Sequence, residues 1–364
     1  MKIGILGTRG IPNYHGGFEQ FAEFFASFLV KKGHEVYVYS SHSHPYKESS
    51  FKGASIVHCY DPEERIGTFG QFIYDLNCIR DSRKRAFDIL LLLGYTSSSI
   101  WYRWLPKKPI IISNMDGLEW KRSKYNKWVR KFLKYAEAFA VKRSDYLISD
   151  SKGIRKYLNN EYGKDSKYIA YGAENFKDPN DKILEEYDVE KYRYNMLIAR
   201  MEPENNIEII LDGAVMSNIK TPFLVIGKFE NSFGKYLTKK FRHFNHIRFL
   251  GGIYNLEHLN NLRYYSNLYF HGHSVGGTNP SLLEAMASKA LIVAHKNDFN
   301  YAILEENAFY FTQKEEVAEI INSENKNEFT HMILNNYNKI DREFSWEIIN
   351  SSYLDYFIEI YEKH

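Results

Sequence analysis

Short apolar runs rich in β-branched residues alternate with longer amphipathic segments over the first part of the chain. The apolar runs predict strands at Lys2–Leu6, Glu35–Ser40, Ile56–Cys59, Ile89–Leu93, Pro109–Ser113 and Tyr146–Ser149. The amphipathic segments predict helices at Gly17–Lys32 and Phe69–Arg85. Alternation of this kind is typical of a parallel sheet with helices on both faces. The pattern therefore predicts an α/β domain.

A second series of the same kind follows. Its predicted strands are Tyr194–Ile198, Phe223–Ile226, Ile247–Leu250, Leu268–His271 and Ala290–Ala294, and its predicted helices are Asn206–Met216, Asn255–Tyr264 and Ser281–Ser288. Between the two series, Lys164–Tyr192 is polar and has no sustained period, so we place the linker near Tyr171–Pro179. We expect two Rossmann-like domains, 1–172 and 173–345, that face each other across a cleft, because open α/β sheets bind ligands at the carboxyl ends of their strands.

The last predicted helix, Trp346–Tyr361, has apolar residues at helical spacing. Two placements of this helix are open from the pattern alone. It caps the second domain, or it crosses back to the first domain. The domain assignment adopts the second placement and treats 346–364 as a helix that returns to the N-terminal domain.

Composition narrows the class of protein. With 44% hydrophobic and 26% charged residues, the chain is an ordinary globular protein, and a net charge of +3 is far below the basic excess of a nucleic-acid binder. Cys59 and Cys78 have no metal-ligand spacing and fit a reducing compartment. No segment approaches the ~18 consecutive apolar residues of a membrane span. We therefore expect a cytoplasmic protein whose contact with a membrane, if it has one, is peripheral.

A glycine-rich turn follows the first predicted strand. Gly7 and Gly10 lie in the turn, and Gly16 and Gly17 open the first helix, where free backbone N–H groups favour an anion. The spacing is not the Gly-x-Gly-x-x-Gly of dinucleotide enzymes, which disfavours a nicotinamide cofactor. The alternative interpretation is a tight loop without a ligand.

Polar residues follow the predicted strand Pro109–Ser113. Asp116 is a candidate base or hydrogen-bond acceptor for a substrate hydroxyl, Glu119 is a candidate second carboxylate, and Trp120 could stack on a sugar. The alternative is a turn around Asp116-Gly117 with Trp120 as packing.

A basic stretch, Lys121–Lys134, carries seven cations and three aromatic residues and is predicted to form one helix. Together with Glu119 and Trp120, its first residues Lys121 and Arg122 are assigned to an acceptor or membrane side. Attraction to an anionic membrane is one interpretation and a solvated helix face is the other.

The second domain has basic residues after two strands and one dense motif. Arg200 is placed to pair with a diphosphate, with Lys228 as a weaker candidate for the same charge. In His271–Ala287, a turn with Gly277, Thr278 and Asn279 precedes a helix that Pro280 begins, as a phosphate and sugar site requires. Glu284 lies one turn into that helix, where its carboxylate could bind both hydroxyls of a ribose.

The neighbours of Glu284 are apolar, so its charge needs a partner. His271 and His273 have no third ligand for a metal, and a hydrogen-bonding role in the core is expected for His271.

In this order, these motifs resemble those of the retaining family-4 glycosyltransferases, whose two Rossmann-like domains form the GT-B fold. The segments Gly7–Pro12, Gly16–Gln20 and Asp116–Arg122 are more narrowly similar to bacterial rhamnosyltransferases of capsule and cell-wall polysaccharide assembly. The resemblance covers nearly the whole chain and includes Phe344–Glu347 before the last helix.

The resemblance implies roles for individual residues. Arg200 matches the diphosphate-binding arginine, Glu284 matches the second glutamate of a Glu-seven residues-Glu motif, and Gly16 and Gly17 match the loop near the donor phosphates. Asp116, Arg200 and Glu284 are accordingly the candidate catalytic residues. The sequence departs from the wider family at three positions, since the first glutamate of the pair is replaced by Gly276, a lysine by Asn205, and a frequent histidine by Asp116.

The resemblance also implies a reaction. A sugar, expected to be rhamnose from dTDP-rhamnose, would pass with retention from a nucleotide diphosphate-sugar to a lipid-linked or oligosaccharide acceptor in capsule or cell-surface polysaccharide synthesis. Without an Asp-x-Asp motif, no metal or other cofactor is expected. The protein is expected in the cytoplasm, with the inner face of the cell membrane as the place of any peripheral contact. Two alternatives stay open, a nucleotide-sugar epimerase of the same architecture and a non-catalytic module that binds a nucleotide-sugar.

Overall fold

The computed structural model describes residues 1–14, 16–115, 117–121 and 125–364. The chain divides into two compact units. The first unit consists of Met1–Lys121, Tyr125–Tyr171 and Trp346–His364, and the second unit contains Gly172–Ser345.

Within the described ranges, the first unit is built on an eight-stranded sheet in the order β3-β4-β2-β1-β5-β6-β7-β8. Its strands are β1 Lys2–Leu6, β2 Glu35–Ser41, β3 Ser50–Phe51, β4 Ala54–Cys59, β5 Ile89–Leu93, β6 Ile110–Met115, β7 Tyr146–Ser149 and β8 Lys167–Tyr168. All neighbours pair in parallel except β3 and β4, which are antiparallel.

Helices connect these strands. They are α1 Gly17–Lys31, α2 Glu63–Ile66, α3 Phe69–Ser82, α4 Lys127–Arg143 and α5 Lys152–Tyr162, with 3-10 turns at Ser99–Trp104 and Glu119–Lys121. Because helices cover a parallel sheet, its central strands are apolar on both faces, and every residue of β5 is buried.

The second unit has a six-stranded, all-parallel sheet in the order β11-β10-β9-β12-β13-β14. Its strands are β9 Asn195–Ile198, β10 Phe223–Ile226, β11 Ile247–Gly251, β12 Leu268–His271, β13 Ile292–His295 and β14 Phe309–Phe311. Its helices are α6 Ile207–Met216, α7 Ser232–Phe241, α8 Leu256–Tyr265, α9 Pro280–Ala287, α10 Asp298–Leu304, α11 Lys314–Ser323 and α12 Thr330–Lys339. Short helical turns lie at Asp181–Tyr187, Pro203–Asn205, Lys326–Glu328 and Ile340–Phe344. The prediction of an α/β chain with two parallel-sheet domains is confirmed.

The C-terminal helix α13, Trp346–Tyr361, belongs to the first unit. Its apolar face packs on α1, where the Phe24 and Trp346 rings stack with centroids 4.6 Å apart and Phe21 lies 4.7 Å from Tyr353. The Tyr353 hydroxyl also accepts a hydrogen bond of 2.9 Å from Asn114 Nδ2 at the end of β6. Residues distant in sequence thus complete the helical layer over the first sheet.

The prediction of one helix over Lys121–Lys134 is wrong at its start. The helix α4 begins at Lys127, because the Asn126 side chain accepts hydrogen bonds of 3.0 Å from the backbone N–H groups of Trp128 and Val129 and caps it. Lys121 ends a separate 3-10 turn, and Arg122 lies outside the described residues.

Candidate functional site

The predicted donor residues of the second unit follow adjacent parallel strands. Arg200 comes after β9, Lys228 after β10, and the turn with Gly277, Thr278 and Asn279 after β12. Because β10, β9 and β12 are neighbours in the sheet, these loops emerge at the same edge, which we call the carboxyl edge of the second sheet.

Asn205 joins the loops after β9 and β12. Its Nδ2 donates to the Arg200 carbonyl over 2.7 Å, and its Oδ1 lies 2.9 Å from His273 Nδ1. The approach of the two loops requires glycine at 272, since a Cβ there would meet the Asn205 carbonyl oxygen at 1.9 Å. The amide at 205 therefore holds the backbone of the site, a role that a lysine at this position would not fill in the same way.

Further hydrogen bonds fix the loop after β12. The Asn206 side chain donates to the Gly272 carbonyl over 2.8 Å, and both the N–H and the hydroxyl of Ser274 donate to the Glu204 carbonyl, over 3.1 and 2.8 Å. Asn300, on α10, donates a hydrogen bond of 3.0 Å from its Nδ2 to the His273 carbonyl. The loop is thus preorganised by the protein itself.

Helix α9 begins at this loop. Asn279 is its N-cap, and Pro280 is the first helical residue. The Asn279 side chain accepts a hydrogen bond of 2.9 Å from the backbone N–H of Ser281. Gly276, in the turn ahead of it, has φ +109, a conformation that side chains rarely adopt. The first backbone N–H groups of a helix are available to an anion, so the sequence places Gly277, Thr278 and Asn279 where a phosphate could be held.

Glu284 has the partner that its apolar neighbours required. Nη2 of Arg263, on α8, lies 2.5 Å from Glu284 Oε2, and the Arg263 side chain is 1% exposed while that of Glu284 is 21% exposed. The charge of a buried guanidinium is compensated only by such a partner. The ion pair therefore fixes one carboxylate oxygen and leaves Glu284 accessible to a ligand. Sequence reasoning did not identify Arg263.

Polar side chains around Arg263 fix its orientation. Nη1 donates to Asn260 Oδ1 over 3.1 Å, and Nη2 lies 3.5 Å from Ser281 Oγ, which is 2.7 Å from the Tyr269 hydroxyl. The network joins residues of α8, β12 and the first turn of α9. Three elements thus fix the position of the Arg263 guanidinium that pairs with Glu284.

His271, at the end of β12, is buried beside this network. Burial, with smaller contributions from His273 and Arg263, lowers the pKa of His271 to about 3, so the ring is neutral near pH 7. Its Nε2 has no hydrogen-bond partner among the described residues, so the expected hydrogen-bonding role is not seen at that atom.

The two candidate cations of the carboxyl edge are both exposed. Lys228 Nζ lies 5.5 Å from the Tyr254 ring, and the hydrogen bond and charge of Tyr254 raise the pKa of Lys228. Gly227 before it has φ +151, and a Cβ there would meet the Ala199 carbonyl oxygen at 2.0 Å, so the backbone after β10 passes close to that after β9. Arg200 and Lys228 therefore follow strands whose ends are in contact.

In the first unit, Gly16 and Gly17 lie at the start of α1. Gly16 is extended, with φ −179, and its N–H donates to Asn13 Oδ1 over 3.1 Å. A Cβ at 16 would meet Glu19 Oε2 at 3.6 Å, an ordinary contact, so the fold by itself does not require glycine there. The Gly17 carbonyl accepts a hydrogen bond of 3.0 Å from the Tyr171 hydroxyl.

The other predicted residues of the first unit follow β6 along the chain. Asp116 lies outside the described residues. Trp120 donates from Nε1 to Glu137 Oε2 over 3.1 Å, and Lys121 Nζ lies 5.4 Å from the Trp120 ring. Glu119 shares the 3-10 turn with both. Glu137, on α4, was not singled out from the sequence.

Comparisons with known proteins concern the N-terminal part and the fold. Residues 1–174 match a family described as a domain of unknown function, DUF1972. No curated protein matches the chain.

Sucrose-phosphate synthase from Thermosynechococcus elongatus is similar over 100% of both chains, with a TM-score of 0.81 at 14% identity. HepE of Anabaena, in complex with UDP and glucose, has a TM-score of 0.78 at 17% identity and covers 99% of this chain and 100% of its own. WaaG, a glycosyltransferase involved in lipopolysaccharide biosynthesis, has a TM-score of 0.72 at 12% identity, covering 97% and 98%.

The chain therefore has the GT-B fold that these structures share. At identities of 12 to 17% the likeness concerns the fold. Among the described residues, no helix combines the length and the apolar composition needed to cross a membrane.

Proposed function

We propose that this chain is a glycosyltransferase whose second unit binds a nucleotide diphosphate-sugar. The observation that carries the proposal is the carboxyl edge of the second sheet, where an exposed arginine, the start of α9 and a glutamate held by a buried arginine follow neighbouring strands. The GT-B fold supports this assignment, and HepE, one of the similar structures, was solved with UDP-glucose.

The donor groups would divide by chemistry. Arg200 and the N–H groups at the start of α9 would hold the diphosphate, with Lys228 as a further cation. Glu284, oriented by Arg263, would accept hydrogen bonds from the ribose hydroxyls. During transfer the bond between the sugar C1 and the diphosphate oxygen breaks, and the acceptor oxygen bonds to C1. The acceptor proton passes to the departing phosphate, and the cations stabilise the negative charge that develops there.

The sugar and the stereochemistry are proposed from the sequence resemblance. Transfer would proceed with retention, and dTDP-rhamnose is the proposed donor because Gly276 offers no side chain to a sugar hydroxyl where the wider family has a glutamate. A 6-deoxy sugar suits a site with fewer polar groups. Asp116 would orient the acceptor hydroxyl, and the product would enter capsule or cell-surface polysaccharide. No metal is needed if the cations neutralise the diphosphate.

A face of the first unit supports work on a lipid-linked acceptor at the inner face of the membrane. Trp128 and Phe132 on α4, with Phe69 and Phe72 on α3, form what we call the aromatic face; Trp128 is 81% exposed, and the Phe72 and Phe132 rings are 5.9 Å apart. Exposed lysines of α4 flank these rings. Aromatic rings beside cations suit the interface of an anionic bilayer.

The membrane contact is tested by co-sedimentation with vesicles. The protein should bind vesicles that contain phosphatidylglycerol and not vesicles of phosphatidylcholine alone, and a double Trp128→Ser, Phe132→Ser variant should lose binding. If equal amounts of the variant and the natural chain sediment with the anionic vesicles, the aromatic face is not the membrane contact. The proposal for the donor site is unaffected by that result.

Transfer is tested by nucleotide release. The protein is incubated with dTDP-rhamnose, UDP-sugars or GDP-mannose, each with and without a lipid-linked oligosaccharide. A transferase releases nucleotide diphosphate rapidly when the acceptor is present. Conversion of the donor to an isomer without acceptor would indicate the epimerase, and binding without release would indicate the non-catalytic module. If no donor is bound, isomerised or hydrolysed, all three functions are contradicted.

Arg200→Ala tests the diphosphate contact. Loss of charge-assisted hydrogen bonds should weaken donor binding about 10- to 100-fold, measured by calorimetry. Arg193→Ala is the matched control, because Arg193 is also exposed but precedes β9 and pairs with Glu190. Unchanged donor affinity in the Arg200 variant would remove this residue from the site.

A further inference from the structure

A single buried carboxylate in the first unit accepts hydrogen bonds from an unusual number of donors. Glu137, on α4, is 1% exposed. Its Oε1 accepts from the hydroxyls of Tyr157 and Tyr162, both at 2.6 Å, and lies 3.2 Å from Lys134 Nζ. Its Oε2 accepts from Trp120 Nε1 at 3.1 Å and lies 3.3 Å from the Tyr95 hydroxyl, whose single proton is shared with the Gly117 carbonyl. The donors thus divide between the two oxygens.

The two oxygens face different parts of the unit. Oε1 faces α5, which carries Tyr157 and Tyr162. Oε2 faces the Gly117–Trp120 segment, because Trp120 is its direct donor and the Tyr95 hydroxyl also reaches the Gly117 carbonyl at 3.0 Å. Both ends of this four-residue segment are therefore tied to one carboxylate. Along the chain, only Asp116 separates the segment from β6, which ends at Met115.

The arrangement depends on a carboxylate that only accepts. Burial and the bond to Glu137 raise the pKa of Tyr157 and of Tyr162, so both phenols remain donors at neutral pH. The indole N–H of Trp120 is always a donor. Lys134, which also contacts Glu161 at 2.9 Å, supplies the cation that a buried carboxylate requires. An amide at 137 would turn an NH2 group toward one of the two sets of donors.

We propose that Glu137 is a positioning residue for the Gly117–Trp120 segment and, through the orientation of the Trp120 indole, for acceptor binding. This inference rests on the proposed function, in which the segment belongs to the acceptor side. Glu137 does not touch the reacting atoms. It fixes the Trp120 indole directly and acts on the Gly117 carbonyl through the Tyr95 hydroxyl.

The first test is Glu137→Gln. With its amide oxygen toward the Tyr157 and Tyr162 hydroxyls, the variant presents an NH2 group to Trp120, and the indole hydrogen bond is lost while the size of the side chain is kept. We expect the acceptor KM to rise about tenfold with the donor KM unchanged. A purely structural role would lower the active fraction and leave both KM values as they are.

A matched pair of tyrosine variants keeps the inference testable if Glu137→Gln folds poorly. Tyr95→Phe and Tyr162→Phe each remove one phenol hydroxyl that bonds Glu137, but only Tyr95 also reaches the Gly117 carbonyl. Tyr95→Phe should raise the acceptor KM several-fold, and Tyr162→Phe should not. The double variant Tyr95→Phe, Glu137→Gln should raise it less than the product of the single effects, because both act on one segment.

A spectroscopic readout is independent of turnover. In a 15N-labelled sample, the indole N–H resonance of Trp120, assigned by its loss in Trp120→Phe, should shift upfield in Glu137→Gln and stay in place in Tyr162→Phe. An unshifted resonance, or equal effects of Tyr95→Phe and Tyr162→Phe on the acceptor KM, would overturn the positioning role while transfer itself stands. If the natural chain releases nucleotide diphosphate from none of the donors tested, the proposed function and this inference are both contradicted.

Discussion

Arg263 is a residue whose importance the sequence does not indicate locally. It lies in a polar helix, where arginines are usually solvated. Its partner Glu284 comes 21 residues later on another helix, and only the fold brings the two side chains to 2.5 Å. The need of Glu284 for a partner could be predicted from its apolar neighbours, because an unpaired charge among them is costly. The identity of the partner could not. Glu137 is the same case in the first unit, since its donors come from four different segments.

Replacing Arg263 should expose how much Glu284 depends on it. Arg263→Met should destabilise the folded chain by about 3 kcal/mol, because it leaves a largely buried carboxylate without its cation. Urea unfolding followed by circular dichroism measures the loss. The double variant Arg263→Met, Glu284→Met should recover much of it, because the charge and its partner are then both absent. Equal stability of the single and double variants would contradict the coupling.

His271 should make the folded chain sensitive to acid. Its folded pKa of about 3 lies below the ordinary value, so between the two the unfolded chain binds a proton that the folded chain does not. Stability from this residue is complete above pH ~6.5 and is lost as the pH falls. From pH 7 to 5, the free energy of unfolding of the natural chain should fall by about 2 kcal/mol more than that of His271→Gln. The same loss in both chains would contradict the burial of a neutral ring.

At the scale of elements, strands were predicted better than helices. The fully apolar run Ile89–Leu93 forms β5 with the predicted bounds, because a strand buried on both faces needs no alternation. Helices such as α7 Ser232–Phe241 and α12 Thr330–Lys339 were missed, since each buries only a few residues against the sheet and is otherwise polar. The start of α4 depended on one cap at Asn126 rather than on the charge pattern. Single capping residues thus decide boundaries that periodicity leaves open.

The cap of α9 gives a prediction that separates structure from charge. Asn279→Ser and Asn279→Asp both keep a side-chain acceptor for the Ser281 N–H, so helix α9 should form in each. A carboxylate at this position repels a bound diphosphate, so the Asp variant should raise the donor KM about tenfold and the Ser variant no more than about twofold. Steady-state kinetics with the donor varied measures both. Equal KM values would place the diphosphate away from the start of this helix.

For the molecule as a whole, chain order and packing order differ. The first unit takes its last helix from the C-terminal end, after the entire second unit, and α13 supplies aromatic rings to the core around α1. The helical period of Trp346–Tyr361 predicted the helix but allowed it on either domain. Only the matching surface of α1, with Phe21, Phe24 and Phe25, determines which unit it covers. The first unit therefore cannot be completed until the whole chain is present.

Two neighbouring residues of α13 test this dependence. Phe357 is fully buried, with its ring 5.6 Å from that of Phe25, whereas Ile358 is 38% exposed. Phe357→Ala should destabilise the chain by about 3–4 kcal/mol through the cavity it leaves, and Ile358→Ala by less than about 1 kcal/mol. Differential scanning calorimetry measures the loss. Donor affinity, measured by calorimetry below the unfolding transition, should change little in both, because Arg200, the start of α9 and Glu284 belong to the second unit and only Gly16 and Gly17 belong to the first. A weaker donor affinity in the folded Phe357 variant would mean that the first unit contributes to donor binding as well.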